Sequence, residues 1–131
     1  MDKNIIRIIT ENKAGILYAL SKLLAKEGIN VEDIVATTFG DKAMIMLMSS
    51  DQKKALSVIQ NNGYHVLEEE SVIIKLKNQP GALAEVTKLL AKTNINIMSA
   101  VIINKDTHHA FFVMVVDNPV KTQEVLSAYI V

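Results

Sequence analysis

Asn78-Gln79-Pro80-Gly81, with the amphipathic run Ala82 to Thr93 behind it, is the stretch on which the reading of this chain turns. It follows a largely apolar run, Ser71 to Lys77, and it has an earlier copy in Asn12-Lys13-Ala14-Gly15. The copies are offset by sixty-six residues, since Asn12 meets Asn78 and Gly15 meets Gly81. Further on, Lys22-Leu23-Leu24-Ala25-Lys26 meets Lys88-Leu89-Leu90-Ala91-Lys92, and Ile29-Asn30 meets Ile95-Asn96. About half the positions from Asn12 to Val31 are identical in this register. Such a repeat fixes the fold unit before any element is assigned. The 131 residues therefore divide into two units, residues 1–70 and residues 71–131.

Small domains bury a smaller share of their surface than large ones. Units of this size are expected to bury surface against each other or against another chain. Half the residues are apolar and only 5% aromatic, so the cores must be filled by Ile, Leu, Val, Ala and Met. The formal net charge of zero lacks the basic footprint of a nucleic-acid binder. The chain has no cysteine, which excludes disulfides, zinc ribbons and a thiol nucleophile. No apolar run reaches the length of a membrane span, and Met1-Asp2-Lys3-Asn4 does not open a signal peptide. The expectation is a cytoplasmic protein without membrane or nucleic-acid partners.

Ile5 to Ile9 reads as a strand, β-branched and bounded by polar residues. From Gly15 to Glu27, Ile16, Leu17, Leu20, Leu23 and Leu24 recur at helical spacing, and Gly28 ends that helix. Ile29 to Thr38 and Ala43 to Met48 form a hairpin across Gly40-Asp41-Lys42. Asp51 caps a helix running to about Asn62, Gly63 ends it, and Tyr64 to Glu70 is a fourth strand. The second unit repeats this with Val72 to Lys77, Ala82 to Thr93, Ile95 to Asn104 and His109 to Val116. Asn94 stands in the terminating place of Gly28, Lys105-Asp106-Thr107 makes the turn, and Asn118-Pro119 opens the last helix. The spacing predicts an α+β protein of two ferredoxin-like βαββαβ units, each an antiparallel sheet with helices on one face. The second unit is expected to lack its last strand. That leaves Val72 to Leu76 as a bare edge unless the tail from Ala128 to Val131 bends back against it. Met44 to Met48 and Ala110 to Val116 are apolar at every position, so the sheet face away from the helices needs cover. Both features predict a homodimer.

Each Asn-x-x-Gly loop lies between a strand and a helix N-terminus, where unpaired N–H groups and the helix dipole suit a carboxylate. Gly15 and Gly81 permit close approach, and Asn12 and Asn78 offer donors and acceptors to the two ends of a zwitterion. For either loop alone, a turn and cap role is the simpler reading; two copies, each followed by Ile-Asn, favour a binding role. No nucleophile, base and orienting group can be assembled, so an enzyme is not expected. His108-His109 is not a metal pair, because neighbours on a strand point to opposite faces.

Asn-Gln-Pro-Gly-Ala-Leu-Ala, then Leu-Leu-Ala-Lys, then Ile-Asn-Ile resembles the signature of the ACT domain, a small ferredoxin-like module that binds amino acids and regulates metabolic enzymes. The pattern covers both halves, as in free-standing tandem ACT proteins. The similar regulatory domain of phosphoglycerate dehydrogenase holds its effector where two units pair side by side. There the Asn of the first loop and the Asn opening the second strand make the contacts. The resemblance thus implies ligand-binding roles for Asn12, Gly15 and Asn30, and for Asn78, Pro80, Gly81 and Asn96, with no metal or cofactor. That relative also uses a His two residues before the loop Asn, where this chain has Thr10 and Leu76, and Ala14 replaces the usual Pro of the first loop. The second loop, with its Pro80, is expected to be the better formed. The competing expectation is an interaction subunit that docks a metabolic enzyme without a ligand.

Overall fold

A computed structural model describes residues 4–103 and 106–131. The chain separates into two compact units, with the boundary between Glu69 and Glu70. The first holds β1 (Asn4–Glu11), α1 (Ile16–Lys26), β2 (Val31–Phe39), β3 (Lys42–Ser49), α2 (Gln52–Asn61) and β4 (His65–Glu70). The second holds β5 (Val72–Lys77), α3 (Ala82–Lys92), β6 (Ile97–Ile103), β7 (His109–Val116) and α4 (Pro119–Val125). Asn104 and Lys105, expected at the end of a strand and the start of its turn, lie outside the described residues.

The first sheet runs β2-β3-β1-β4 and the second β5-β7-β6, the ferredoxin-like order with the fourth strand missing from the second unit. β3 pairs antiparallel with both β1 and β2, and β7 pairs antiparallel with both β5 and β6. The repeat extends to irregularities. β2 bulges between Val31 and Asp33, and β6 bulges between Ile97 and Ser99, sixty-six residues on.

Each unit carries its own core. In the first, Ile6, Ile8, Ile45 and Leu47 of the sheet meet Leu20, Leu24, Ala55 and Ile59 of the helices. In the second, Ile74, Leu76, Phe112 and Met114 meet Val86, Leu90 and Leu126. Aromatic filling is limited to Phe112 with Tyr129 packed beside it, and to Tyr64 at the edge of the first core. The all-apolar strands behave differently from one another. β3 buries Ala43, Ile45 and Leu47 and half-buries Met44, Met46 and Met48, whereas β7 is buried at every position from Phe112 to Val116.

Helix ends follow the local chemistry. Asp51 and Asn118 accept from the N–H groups of Lys54 and Lys121, each at 3.1 Å, and so cap α2 and α4. Asn94 adopts a positive φ of 58° at the end of α3, taking the left-handed place that Gly28 fills after α1. The Glu68-Glu69-Glu70 cluster, read as a solvated run, is partly engaged: Asn4 donates to Glu68 at 2.6 Å, and Glu69 lies 3.1 Å from Arg7. Both contacts tie β4 beside β1.

The expected bare edge of β5 is not bare. Ile130 bridges Ile74, Lys75 N–H donates to the Tyr129 carbonyl at 2.9 Å, and Val131 N–H donates to Ile73 at 3.2 Å. The tail thus stands in the fourth-strand place with a single bridge, where the first unit has a six-residue strand.

Candidate functional site

The two strand–helix loops share one geometry. Gly15 and Gly81 precede their helices with φ of 89° and 87°, a conformation that costs a side-chain-bearing residue energy. Neither helix has a side-chain cap, although the first N–H of α3, that of Ala82, donates to the Gln79 carbonyl at 3.3 Å. The following turns close normally, with Ala19 N–H donating to Gly15 and Glu85 N–H to Gly81.

The loop asparagines are tied to the neighbouring hairpin turns. Asn12 donates its side-chain amide to the Gly40 carbonyl at 3.1 Å, and its backbone N–H donates to Asp41. Asn78 repeats this, its side chain donating to Asp106 at 2.6 Å and its backbone to His108. Each Nδ2 therefore serves the turn, and each Oδ1 is the atom left to accept from a ligand. In the second turn the Asp106 carboxylate accepts from His109 N–H at 2.6 Å and His108 N–H at 2.8 Å. Those bonds, His109 first, hold its pKa below the usual value.

Asn30 and Asn96 stand elsewhere. Each opens its strand: Asn30 exchanges bonds with Ser50, and Asn96 with Asp117. Asn12 sits by the turn at the far end of β2, nine residues beyond Asn30. At the rise of an extended strand that is about 30 Å. The structure does not bring Asn12 and Asn30, or Asn78 and Asn96, together within a unit.

It brings other residues to the first loop. A groove of about 500 Å³ runs between the loop, the start of α1 and the end of β2, lined by Asn12, Lys13 and Gly15 at the loop and by Ala36, Thr38 and Ile45 on the sheet. The sheet residues of this wall were not singled out from sequence. The available signal was the alternation of small residues, Ala36 and Thr38, just ahead of the hairpin turn. A second groove, of about 520 Å³, lies on the tail side of the second loop between Lys75, Gln79, Glu85 and Tyr129. There the Tyr129 hydroxyl donates to Glu85 at 3.3 Å. Desolvation, then the Glu85 charge, raises the tyrosine's pKa. Among the described residues no three His, Asp or Glu side chains are placed to hold a metal, and no helix is long and apolar enough to cross a membrane.

Two ferredoxin-like units, each with a glycine-started helix behind an asparagine loop, define a tandem α+β module. The family model for the ACT domain pair matches residues 1–129, and the chain belongs to that family. Among solved structures it is similar to protein BT0572 from Bacteroides thetaiotaomicron, with a TM-score of 0.86 and 30% identity over 98% of this chain and 88% of that one. The ligand-free regulatory subunit of aspartate kinase from Thermus thermophilus shares the fold, with a TM-score of 0.71 at 14% identity, covering 98% of this chain and 93% of that one. A UPF0237 protein of Streptococcus pneumoniae is 32% identical over 60 residues, 45% of this chain and 68% of that protein.

Proposed function

We propose that this protein is a non-catalytic, cytoplasmic regulator that binds a free amino acid at its strand–helix loops and passes the bound state on through self-assembly or a metabolic enzyme. The observation that carries the reading is the uncapped start of α1 beside Asn12 and Lys13, opening onto a groove of about 500 Å³. That volume falls in the range of small-molecule sites. The ligand carboxylate would meet the helix N–H groups and Lys13, and its ammonium the Asn12 Oδ1. Gly15 and Gly81 let it approach, and Pro80 stiffens the second loop. Asn30 and Asn96 would join such a site only as residues of another unit, in the side-by-side pairing that the family resemblance implies. The regulatory subunit of Thermus aspartate kinase, which shares the fold, supports a regulatory role.

The same reading includes a homodimer. The edge strand β6 exposes Met98 and Ile102, and α3 of the same unit exposes Leu83. Sheet edges bearing apolar side chains are natural pairing surfaces.

A specific observation favours the competing role of an enzyme-docking subunit without a ligand: both loop Asn amides already donate to turn carbonyls. Thermal shift of the full chain against the twenty amino acids separates the two. A regulator gains melting temperature with one or a few of them by mass action. A flat response to all twenty at millimolar levels leaves the docking role.

A further inference from the structure

The fourth-strand place is filled differently in the two units. In the first, β4 occupies it with six residues, and its acids hold β1: Glu69 lies 3.1 Å from Arg7, and Glu68 accepts from Asn4 at 2.6 Å. In the second, the tail occupies it with one bridge, Ile130 to Ile74, and two backbone bonds, from Lys75 N–H to Tyr129 and from Val131 N–H to Ile73. The Tyr129 hydroxyl adds an exposed bond to Glu85 at 3.3 Å. Residues 128–131 of the tail carry no acidic side chain.

β5 carries the charges that an acidic strand would meet. Ile74 and Leu76 belong to the core, so Lys75 and Lys77 lie on the opposite face, and both are exposed. Lys77 stands opposite His109 of β7. At the matching positions, sixty-six residues earlier, the first unit has Ile9, Glu11 and Ala43. Divergence has thus set two ammonium groups beside the more lightly filled edge. Among the described residues neither lysine has a carboxylate within ion-pair distance. Both line the groove of about 520 Å³ that the tail borders. Glu85, the one acidic side chain lining that groove, comes from α3 on the helix side of the sheet.

We infer that the β5 edge is a docking site for an extended segment of a partner protein with acidic residues at alternate positions, and that the tail is what this segment displaces. Strand addition draws affinity from main-chain bonds and specificity from alternate side chains. The main-chain groups are in place, since Lys75 N–H and the Ile73 carbonyl now serve the tail. A strand in the tail's register sets one residue opposite Lys75, where the tail has Tyr129, and the next but one opposite Lys77. Acids at those two positions form ion pairs that the tail cannot, and the residue between them falls on the core side. The tail of a second copy has no advantage over the tail in place, so the charges select an acidic partner. This docking site is independent of whether the strand–helix loops bind an amino acid.

The test is fluorescence anisotropy on the full chain with a labelled alternating Val-Glu peptide of about eight residues, a common strand length, beside its Val-Gln and Val-Lys counterparts. The expected result is binding of the Val-Glu peptide, about fivefold or more weaker binding of Val-Gln, and none of Val-Lys. The double variant Lys75→Glu with Lys77→Glu should reverse the preference toward Val-Lys with its circular dichroism intact, since both side chains are exposed. Tyr129→Ala, which loosens the tail, should tighten Val-Glu binding about two- to tenfold by raising the fraction of open edge. In amide spectra the peptide should shift Ile73 and Lys75 and move Tyr129, Ile130 and Val131 to unstructured positions. Equal binding of the three peptides, an unreversed preference in the folded lysine variant, or tail resonances that stay in place would overturn the inference. So would inorganic pyrophosphate shifting the same amides at equal affinity, the mark of a small-anion site. Should Tyr129→Ala fail to fold, the lysine reversal still decides.

Discussion

Gly15 and Gly81 matter for their backbone and not for the space around them. Both have φ near 90°, and a Cβ built on either meets nothing within 4 Å. Gly81→Ala should therefore cost only the left-handed strain, about 1 kcal/mol, read as a lower urea midpoint at unchanged m. Asn78 has a structural job whether or not a ligand binds, because its amide bridges to the Asp106 carbonyl. Asn78→Ala should lose about 1 kcal/mol of stability in the ligand-free protein. Asp106 makes the same turn sensitive to acid. Its folded pKa lies below the ordinary 3.8, so its contribution is present above that value and is lost as pH falls through the folded one. The His109 amide resonance should shift only below about pH 4, and Asp106→Asn should abolish that titration. Sequence reading found Asn12, Asn78 and both glycines, because a repeated motif draws attention to them. It did not find their hydrogen-bond partners across the hairpin turns, which are close in space but twenty-eight residues away in the chain.

At the scale of elements, the helices were readable because each has a period or a cap, and the strands because short β-branched or apolar runs are bounded by turn residues. Leu20 and Leu24, and Val86 and Leu90, are the buried stripe that helical spacing predicts. Asp51, Asn118 and Asn94 do at the helix ends what their chemistry suggests. The tail was harder, since four residues show no usable alternation and only the partner strand gives them a conformation. It holds β5 by two backbone bonds, to Ile73 and Lys75, while the other side of β5 is paired along its length with β7. A segment held so lightly opens locally. The Lys75 amide should exchange with solvent faster than that of Ile74, and Tyr129→Ala, which removes the Glu85 contact, should accelerate Lys75 selectively. The side chain of Ile74 is fully buried against the helices, not offered at the edge. Ile74→Ala is therefore a core truncation, expected to cost about 2–5 kcal/mol in denaturant unfolding.

At the scale of the whole molecule, repetition gives each unit a complete core, and divergence gives each a different exposed edge. The tail fills the edge of β5, so that strand is not the place for a second copy to add itself. The strands that end their sheets are β2 and β6. β6 is the more apolar of the two. It presents Met98, 54% exposed at the bulge, and Ile102, whereas β2 carries Glu32, Asp33 and two threonines. Charged residues on an edge discourage pairing and apolar ones invite it. A twofold axis beside β6 would cover the same residues on both copies, as a closed dimer requires. Light scattering should then give twice the 14.5 kDa chain mass at micromolar concentration. The double variant Met98→Lys with Ile102→Lys should return the single-chain mass with its circular dichroism intact, since both side chains are exposed within the chain. A wild-type mass of 14.5 kDa over the micromolar range would rule the dimer out. A dimer that survives both lysines would place the contact on another surface, with the β2 edge the next to be changed, through Ile34→Lys.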